Sequence, residues 1–252
     1  MRLLTFARDL RRRKSRERQG FFVVEGVRAV EELLKSPLTV RGILSAPQLA
    51  EAPRGRELLA QIAGTAIEHS AVNEAEFRSA AETESPQGIL AIAKIPVRSL
   101  VELSGRTPFR LLVLDALQDP GNVGTIVRTA AALGADATVA LPGTVDLWNA
   151  KVVRSAMGAH FHHMAFHTTA EELFEFLDAE SVPLWAADAD GSPVDSVSAP
   201  ERLALAVGNE GAGVSSSVRE RASAAVSLPI APSVESLNVA VATGILLFQL
   251  RK

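Results

Sequence analysis

Residues 228–250 read LPIAPSVESLNVAVATGILLFQL and join a proline-rich loop to an apolar helix. The short apolar run from Ala224 to Leu228 predicts a buried strand, and the two prolines that follow exclude regular structure until about Glu235. Apolar residues then recur at three- and four-residue spacing, which predicts a helix packed against a core. Ser236 and Asn238 lie at the start of this helix, where unpaired N–H groups favour either a capping side chain or a bound anion.

Composition limits the functions that such a loop can serve. The chain has 252 residues, 47% of them hydrophobic, which is enough for a substantial core in one or two domains. Its formal net charge of −3 argues against a uniformly basic coat for nucleic acid. The absence of cysteine excludes disulfides, a thiolate zinc site and a cysteine nucleophile. With no charged-then-apolar leader and no apolar run of about 18 residues, we expect a soluble cytoplasmic protein without membrane contact.

The amino terminus is the most basic segment of the chain. Eight lysines and arginines fall within residues 2–18, against only Asp9 and Glu17. This pattern fits either a solvated helical face or a surface that binds phosphate backbones by charge neutralisation. The candidates for nucleic-acid contact are Arg11, Arg12, Arg13, Lys14 and Arg16.

Alternating apolar runs and amphipathic stretches predict two α/β domains. We expect a small domain over residues 1–96, a linker over residues 97–108, where the apolar periodicity fades, and a larger domain over residues 109–252. In the larger domain, strand and helix patterns alternate, which indicates a mainly parallel sheet covered on both faces. Parallel sheets bind ligands at the carboxyl ends of their strands, so functional residues are expected in the loops that follow strands.

Three such loops carry the candidate functional residues. The first reads DPGNVGTIVRTA over residues 119–130, and it opens a helix that carries Asn122 and Arg128. The second reads VGNEGAG over residues 207–213, where glycines permit close approach of the backbone to a ligand and Glu210 supplies one carboxylate. The third is the proline-rich loop from Pro229 to Asn238. None has the G-x-G-x-x-G order of a dinucleotide site, the G-x-x-x-x-G-K-[ST] order of a phosphate loop or the G-x-S-x-G order of a hydrolase elbow.

The histidines are clustered, four of the five being His160, His162, His163 and His167. The residue pattern predicts a helix over 148–157 and an extended segment over 161–166. On a strand, His160 and His162 would share one face and His163 and His167 the other, so the four rings would not converge on a metal ion. We therefore expect no metal site and interpret these residues as partly exposed strand or interface histidines.

Together the three loops resemble the SpoU (TrmH-like) family of RNA ribose 2′-O-methyltransferases, within the SPOUT superfamily. The family's three motifs are matched in order by NVGTIVRTA (122–130), GNEGAG (208–213), and LPI followed by SLNVA (228–230 and 236–240). The amino-terminal substrate-binding domain of many members is similar to FVVEG (22–26) and SPQGILA (85–91). The resemblance therefore covers nearly the whole chain.

The resemblance implies a fold that composition alone does not predict. Its carboxyl-terminal domain would be a SPOUT-type parallel sheet in which the last segment is threaded through a loop as a deep trefoil knot, a rare exception among proteins. A small α/β RNA-binding domain would precede it. The resemblance also implies a homodimer formed through the catalytic domain and S-adenosylmethionine held in a bent form by the second and third loops. The implied cofactor contacts are Gly208, Asn209, Gly211, Leu228, Ile230 and Leu237.

The implied reaction is methylation of a ribose 2′-hydroxyl in structured RNA, with ribosomal RNA of the 23S type expected and transfer RNA as the alternative. The residues implied in catalysis are Asn122, Arg128, Glu210, Ser236 and Asn238. Arginine stays protonated in proteins, so we expect Arg128 to clamp the substrate phosphate and stabilise the developing alkoxide, while phosphate or water takes the proton. Asn122 would orient the ribose or the arginine, and Glu210 would position Arg128 or the substrate.

Two other classes of function remain open at this point. One is a non-catalytic RNA-binding or assembly protein with a vestigial cofactor pocket. The other is a nucleotide-dependent enzyme of ordinary doubly wound fold, which the missing dinucleotide fingerprint disfavours.

Overall fold

A computed structural model describes residues 2–251. In chain order the elements are α1 Leu3–Asp9, α2 Arg13–Gln19, β1 Phe21–Glu25, α3 Val27–Leu34, β2 Val40–Ser45, α4 Pro53–Ala63, β3 Glu68–Ala71, α5 Glu74–Ala80, β4 Ile89–Lys94, β5 Phe109–Leu114, α6 Pro120–Ala132, β6 Ala137–Ala140, α7 Ala150–Ser155, β7 Met164–His167, α8 Ala170–Ala179, β8 Leu184–Pro193, β9 Arg202–Val207, α9 Ser216–Arg221, β10 Ala224–Ser227 and α10 Val239–Leu250. No helix within residues 2–251 combines the length and the apolar content needed to span a bilayer.

The chain forms two compact units. The amino-terminal unit contains the chain up to Val97 together with Trp148–His162, and the carboxyl-terminal unit contains Arg98–Leu147 and the chain from His163 onward. This division differs from the predicted boundaries in one segment, because residues 148–162 had been assigned to the larger domain. Their sequence continues the helix and strand alternation of that domain, so the pattern alone gives no sign that they pack elsewhere.

The amino-terminal unit is built on a four-stranded sheet in the order β1–β4–β2–β3. Strand β4 is antiparallel to both β1 and β2, and β3 adds to β2 in parallel. Helix α1 places Leu3 and Ala7 in the core, where they join Leu44, Phe77 and Leu90. The first helix of the basic amino terminus is therefore part of the core and not a detached extension.

Aromatic packing explains why residues 148–162 belong to this unit. The ring of Phe22, a fully buried residue of β1, lies 4.4 Å from that of Trp148 and 6.3 Å from that of Phe161, measured between ring centroids. His160 packs edge-on against Trp148 at 4.2 Å. Burial of such large rings is among the strongest apolar contributions that a small unit can make.

The carboxyl-terminal unit is built on a six-stranded sheet in the order β10–β8–β9–β5–β6–β7, and every pairing in it is parallel. The predicted parallel sheet is thereby confirmed. Helix α10 packs against α6 at a close approach: a Cβ atom added to Gly244 would lie 3.3 Å from the Cγ2 atom of Thr129. The apolar carboxyl-terminal helix is thus held beside the helix that carries Asn122 and Arg128.

The histidine segment differs from its prediction. Residues 161–166 do not form one extended run, because the turn that ends in the 3-10 helix Ala159–Phe161 passes through positive φ angles at Met157 and Gly158, and β7 begins only at Met164. The prediction that His160 and His162 share a strand face is wrong.

His163 lies in the carboxyl-terminal unit, and its ring is hydrogen-bonded to the Oγ1 atom of Thr138 at 2.9 Å. Burial lowers the pKa of His163 to about 4, because the charged imidazolium would lose its hydration. This ring is therefore neutral at physiological pH.

Candidate active site

The three loops singled out above leave the sheet from the carboxyl ends of β5, β9 and β10. Since all strands of this sheet are parallel, these three ends lie on the same edge. The loops therefore reach one another although they are separated by up to about a hundred residues in the chain.

One hydrogen-bonded network joins a side chain from each of the three loops. The amide Nδ2 of Asn122 donates to the carboxylate of Glu210 at 2.5 Å, and its Oδ1 accepts from Nδ2 of Asn238 at 3.0 Å. Asn122 is itself fixed at the start of α6, where its backbone N–H donates to the N-cap side chain of Asp119 at 2.7 Å. The structure thus brings together three of the five residues that the sequence suggested for catalysis.

Asn238 has two roles at once. Its Oδ1 accepts from the N–H groups of Ala240 at 3.0 Å and Val241 at 3.3 Å, so it caps α10 as the simpler interpretation of the sequence required. Its Nδ2 remains available to hold Asn122. Ser236 precedes the helix, is exposed and lines the cavity described below.

Arg128 is exposed and uncommitted. Its side chain makes no hydrogen bond or ion pair within residues 2–251, although it lies on α6 less than two turns beyond Asn122. The expectation that Glu210 positions this arginine differs from the structure, where the carboxylate faces the amide of Asn122 instead. An uncommitted guanidinium beside a fixed polar network is suited to bind a phosphate that comes from outside.

The glycine-rich loop is closed on itself. A Cβ atom on Gly208 would lie 2.1 Å from the carbonyl carbon of Gly213, so only glycine fits at this position. The side-chain Oδ1 of Asn209 accepts from the N–H groups of Gly211 at 2.9 Å and Ala212 at 3.2 Å. Asn209 and Gly211 therefore shape the loop, and Gly211 is absent from the residues that line the cavity.

Asp115 is a residue of this site that the sequence analysis missed. It follows the last residue of β5, is 3% exposed, and accepts from the N–H of Ser215 at 2.6 Å. Its neighbour Ala116, at φ 56°, accepts from Nδ2 of Asn209 at 3.3 Å. The two residues that follow β5 thus anchor both ends of the second loop. A carboxylate directly after a buried strand was the available signal.

A cavity opens between the second loop, the third loop and α10. Its wall is mainly apolar, and Ile230 and Leu237 remain 38% and 37% exposed there, as side chains that a ligand could cover. Three carboxylates border it, those of Asp188, Glu210 and Glu235, and Asp188 is paired with Arg219. The lining residues are Ala187, Asp188, Ala189, Val207, Gly208, Asn209, Glu210, Gly213, Val226, Ser227, Leu228, Ile230, Glu235, Ser236, Leu237, Val239, Ala242, Thr243 and Leu246.

This wall fits S-adenosylmethionine. Apolar side chains can enclose the adenine and the methionine carbons, and carboxylates suit a ligand that carries a cationic sulfonium and an ammonium group. Of the predicted cofactor contacts, Gly208, Asn209, Leu228, Ile230 and Leu237 line the cavity. Among residues 2–251 no three histidine or acidic side chains are grouped closely enough to hold a metal ion.

The basic residues of the amino terminus differ in their availability. Arg12 and Lys14 are exposed, and their side chains make no hydrogen bond or ion pair within the described residues. Arg13 pairs with Glu17 at 2.7 Å, and Arg11 donates to the carbonyl oxygen of Ser79 at 3.2 Å.

Arg16 departs from the prediction of a nucleic-acid contact. It is only 4% exposed, and its Nη1 donates to the carbonyl oxygens of Leu10 at 2.8 Å and Arg11 at 2.9 Å. Its guanidinium therefore stabilises the turn between α1 and α2, where those carbonyls lie at the end of a helix and lack partners within it.

Comparison with known proteins identifies a family for both parts of the chain. Residues 110–248 match the SpoU rRNA Methylase family, and residues 5–91 match the MRM3-like substrate binding domain. A 23S rRNA (guanosine(2553)-2′-O)-methyltransferase, RlmP of Bacillus subtilis, is 38% identical over 97% of this chain and 94% of its own. A 23S rRNA (uridine(2479)-2′-O)-methyltransferase of Streptomyces viridochromogenes is 28% identical over 94% and 84%. The SpoU methyltransferase AviRb of the same organism, solved with AdoMet, superposes with a TM-score of 0.90 over 99% of this chain and 97% of its own, at 28% identity.

Proposed function

Because this chain belongs to the SpoU rRNA Methylase family, we propose that it is an enzyme that methylates a ribose 2′-hydroxyl of large-subunit ribosomal RNA. Its methyl donor is S-adenosylmethionine. The observation that carries the proposal is the network of Asn122, Glu210 and Asn238 beside the cavity, with the uncommitted Arg128 on the same helix as Asn122. Family membership also removes the alternative of an ordinary doubly wound dehydrogenase.

S-adenosylmethionine, when bound, supplies a methyl group on a sulfonium that a ribose oxygen can attack. The protein must align that oxygen, since in-line geometry contributes a large part of the rate enhancement in such transfers. Asn122 is suited to this task because its amide is held from both sides, by Glu210 and by Asn238. A side chain fixed in this way loses little conformational entropy when it contacts the ribose.

Arg128 supplies the charge that the reaction requires. The attacking hydroxyl becomes more negative as it loses its proton, and a guanidinium that grips the adjacent phosphate also stabilises this developing charge. Because arginine stays protonated, we assign the proton to the substrate phosphate or to water.

The target is ribosomal RNA in this proposal, and its base stays unassigned. Two similar enzymes are named for a guanosine and for a uridine of 23S rRNA, while both act on the ribose 2′-oxygen. The base of the methylated nucleotide therefore differs between the two enzymes, whereas the reacting group is the ribose 2′-oxygen in both. This supports a catalytic site that recognises the ribose and the phosphate, with base selection left to other contacts.

We also propose that the enzyme is a cytoplasmic homodimer. Helix α10 exposes an apolar stripe at four- and three-residue spacing, formed by Val241 (52% exposed), Ile245 (39%) and Phe248 (49%). A stripe of this kind on one helix face is typical of a protein interface. The deep trefoil knot, in which the carboxyl-terminal segment is threaded through a loop, stays a prediction from the family resemblance.

Methyl transfer under single-turnover conditions tests the proposal. Purified protein and labelled S-adenosylmethionine would be mixed with unmodified 23S rRNA, 16S rRNA and bulk transfer RNA, and the labelled nucleotide would be mapped. We expect stoichiometric transfer to one ribose of 23S rRNA. Transfer to transfer RNA alone would establish the alternative substrate, and cofactor binding without transfer to any RNA would support a non-catalytic assembly protein.

A further inference from the structure

The amino-terminal unit contains a second cleft, lined by residues outside the three catalytic loops. It lies where β1 ends and α3 begins, and it is lined by residues of α3, α4, the loop before β4 and the segment around α7. Its volume is about 960 Å³, within the range of about 300–1,000 Å³ that is usual for small-molecule sites. All of its lining residues belong to this one unit.

The charges in this cleft leave two arginines uncommitted. The carboxylate of Glu25 is occupied by the backbone N–H of Glu82 and the hydroxyl of Thr83, and Glu32 pairs with Lys35 at 3.0 Å. Arg54 is held by Glu31. The side chains of Arg28 and Arg154 have no hydrogen bond or ion pair within the described residues.

Arg154 is the more informative of the two. Its Nη1 atom is buried from solvent and lacks any hydrogen-bond partner. A buried guanidinium nitrogen without an acceptor loses its hydration without compensation, and such groups are rare in folded proteins. The residue as a whole is only partly buried and lines the cleft, so the accessible part of its guanidinium can donate to an anion there, and a phosphate matches its planar geometry especially well.

The other walls of the cleft suit a nucleoside. Met157 is 54% exposed and has a φ angle of 52°, uncommon for a residue other than glycine, so it presents an apolar thioether at the surface despite the strained backbone. The Oε1 atom of Gln87 accepts from the N–H of Val27 at 2.9 Å. This bond fixes the amide and leaves its NH₂ group as an oriented donor, able to contact an acceptor on a base or a ribose.

The loop before β4 connects this cleft to the basic amino terminus. Glu82 lies beside Arg8, Arg11 and Arg12 at one surface depression, and Thr83 and Gln87, from the same loop, line the cleft. The loop before β4 therefore borders both the basic depression and the cleft.

We propose that this cleft binds one unpaired nucleotide of the RNA substrate, with its phosphate on Arg28 and Arg154, its base against Met157 and one polar edge on the amide of Gln87. This inference rests on the proposed rRNA substrate and adds to it a site for sequence selection. Single-stranded, unstacked nucleotides are the usual targets of sequence-specific RNA recognition, because their edges and faces are accessible. The cleft would then select the RNA segment, while the catalytic loops act on a ribose whatever its base.

Two variants test the phosphate contact and the contact to the polar edge of the nucleotide separately. Arg28→Gln removes an exposed charge and leaves the core unaltered. Gln87→Glu keeps an acceptor for the N–H of Val27 but replaces the oriented donor by a carboxylate. The control is Arg41→Gln, in the same unit but outside the cleft, where the arginine pairs with Glu68.

The measurement is the affinity of the full chain for an unmodified 23S rRNA transcript at several salt concentrations, beside calorimetry of S-adenosylmethionine binding. We expect Arg28→Gln to weaken RNA binding about five- to tenfold and to lower the salt slope by about one. Gln87→Glu should weaken binding with the salt slope nearly unchanged. Arg41→Gln should match the wild type, and cofactor affinity should be equal in all four proteins.

Methyl transfer distinguishes the failure of this inference from the failure of the proposed function. If the wild type methylates 23S rRNA and both cleft variants bind it as tightly as Arg41→Gln does, the cleft is not a nucleotide site. If the wild type transfers no methyl group but the cleft variants still lose RNA affinity, the cleft is supported and the enzymatic proposal is overturned.

Discussion

At the scale of single residues, the site separates groups that are fixed from groups that are uncommitted. Asn122 and Asn238 are held by hydrogen bonds within the protein, whereas Arg128 has no partner among residues 2–251. A fixed amide can orient a substrate, and an uncommitted guanidinium can bind a phosphate without first breaking an ion pair. Mutation can therefore test the role of Arg128 in binding phosphate separately from the role of Asn122 and Asn238 in orienting the substrate.

Replacement of Arg128 by Ala should leave S-adenosylmethionine binding nearly intact, because this residue is not part of the cavity wall. Methyl transfer should fall by at least about 10²-fold, the effect typical of losing one preorganised electrostatic group. Arg128→Lys should not restore activity, since an ammonium cannot reproduce a guanidinium fork. Single-turnover transfer and cofactor calorimetry on the same preparations check both statements. Near-normal turnover of Arg128→Ala, or loss of its cofactor binding, would contradict the assigned role.

His163 gives a prediction on pH and stability. Its pKa is lowered from the ordinary value of 6.5 to about 4 in the folded protein. Below pH 6.5 the unfolded chain therefore binds a proton at this residue that the folded protein does not bind. The protein should therefore lose stability from this residue as the pH falls from 6.5 towards 4, by about 1.4 kcal/mol per pH unit at the steepest.

The variant His163→Gln removes this titration and can still bond to Thr138. Between pH 7 and pH 5 the wild type should lose about 2 kcal/mol more unfolding free energy than the variant, as measured by urea denaturation at both pH values. Equal losses in the two proteins would show that the ring is not held neutral.

At the scale of elements, hydrogen bonds link the segment that follows β5 to the glycine-rich loop that follows β9. Asp115, after β5, bonds to the N–H of Ser215 beyond the glycine-rich loop, and Asn209 bonds back to Ala116. The tight closure at Gly208 keeps that loop short and rigid. The part of the cavity wall that this loop forms is therefore fixed within the protein, which lowers the entropy cost of binding.

The exposed basic residues of the amino terminus are predicted to contribute to RNA binding. Removing every residue before Gly20 would also strip Leu3, Ala7 and Leu10 from the core, so point variants are the cleaner test. The double variant Arg12→Gln, Lys14→Gln should weaken binding of 23S rRNA and lower the salt slope by up to about two, since both side chains are exposed and unpaired among the described residues.

Cofactor affinity, measured by calorimetry, should not change in this double variant. The control is Arg41→Gln, Arg78→Gln, whose arginines pair with Glu68 and Glu74. An unchanged RNA affinity and salt slope in the Arg12 and Lys14 variant would mean that the exposed basic residues are only a solvated surface.

Sequence predicted most elements and the meeting of the three loops, for reasons that are local. Apolar periodicity fixes where α6 and α10 lie, and the parallel sheet fixes the edge at which the loops emerge. The burial of Arg16 could not be predicted, because its acceptors at Leu10 and Arg11 become available only once the turn between α1 and α2 has formed. Likewise, Glu210 could bond to Asn122 or to Arg128, and only tertiary geometry decides between them.

At the scale of the whole molecule, most of the large apolar side chains are buried, and the apolar stripe of α10 is an exception. Val241, Ile245 and Phe248 lie one above another on one face of the helix whose first turn is capped by Asn238. A two-fold axis beside this helix would cover the stripe with its own copy, as isologous dimers do. Helix α10 would then contribute both to the dimer interface and, through Asn238 at its start, to the active site.

The double variant Ile245→Ser, Phe248→Ser tests this assembly. The wild type should sediment as a dimer at micromolar concentration, and the variant should shift towards monomer because it loses the two larger apolar side chains of the stripe. Val101→Ser is a matched control, since Val101 is 77% exposed in the same unit but lies outside α10. A wild type that sediments as a monomer would refute the dimer, and a variant that stays dimeric would move the interface elsewhere.

The path of the chain through Trp148–His162 limits how such enzymes can be recombined. The amino-terminal unit needs these residues to cover Phe22, yet they are encoded in the middle of the catalytic sequence. A gene fusion that exchanged only the first 97 residues would pack a new amino-terminal sheet against Trp148 and Phe161, which are suited to the original sheet. Exchange of the whole amino-terminal unit therefore requires two coordinated replacements, one of the first 97 residues and one of Trp148–His162.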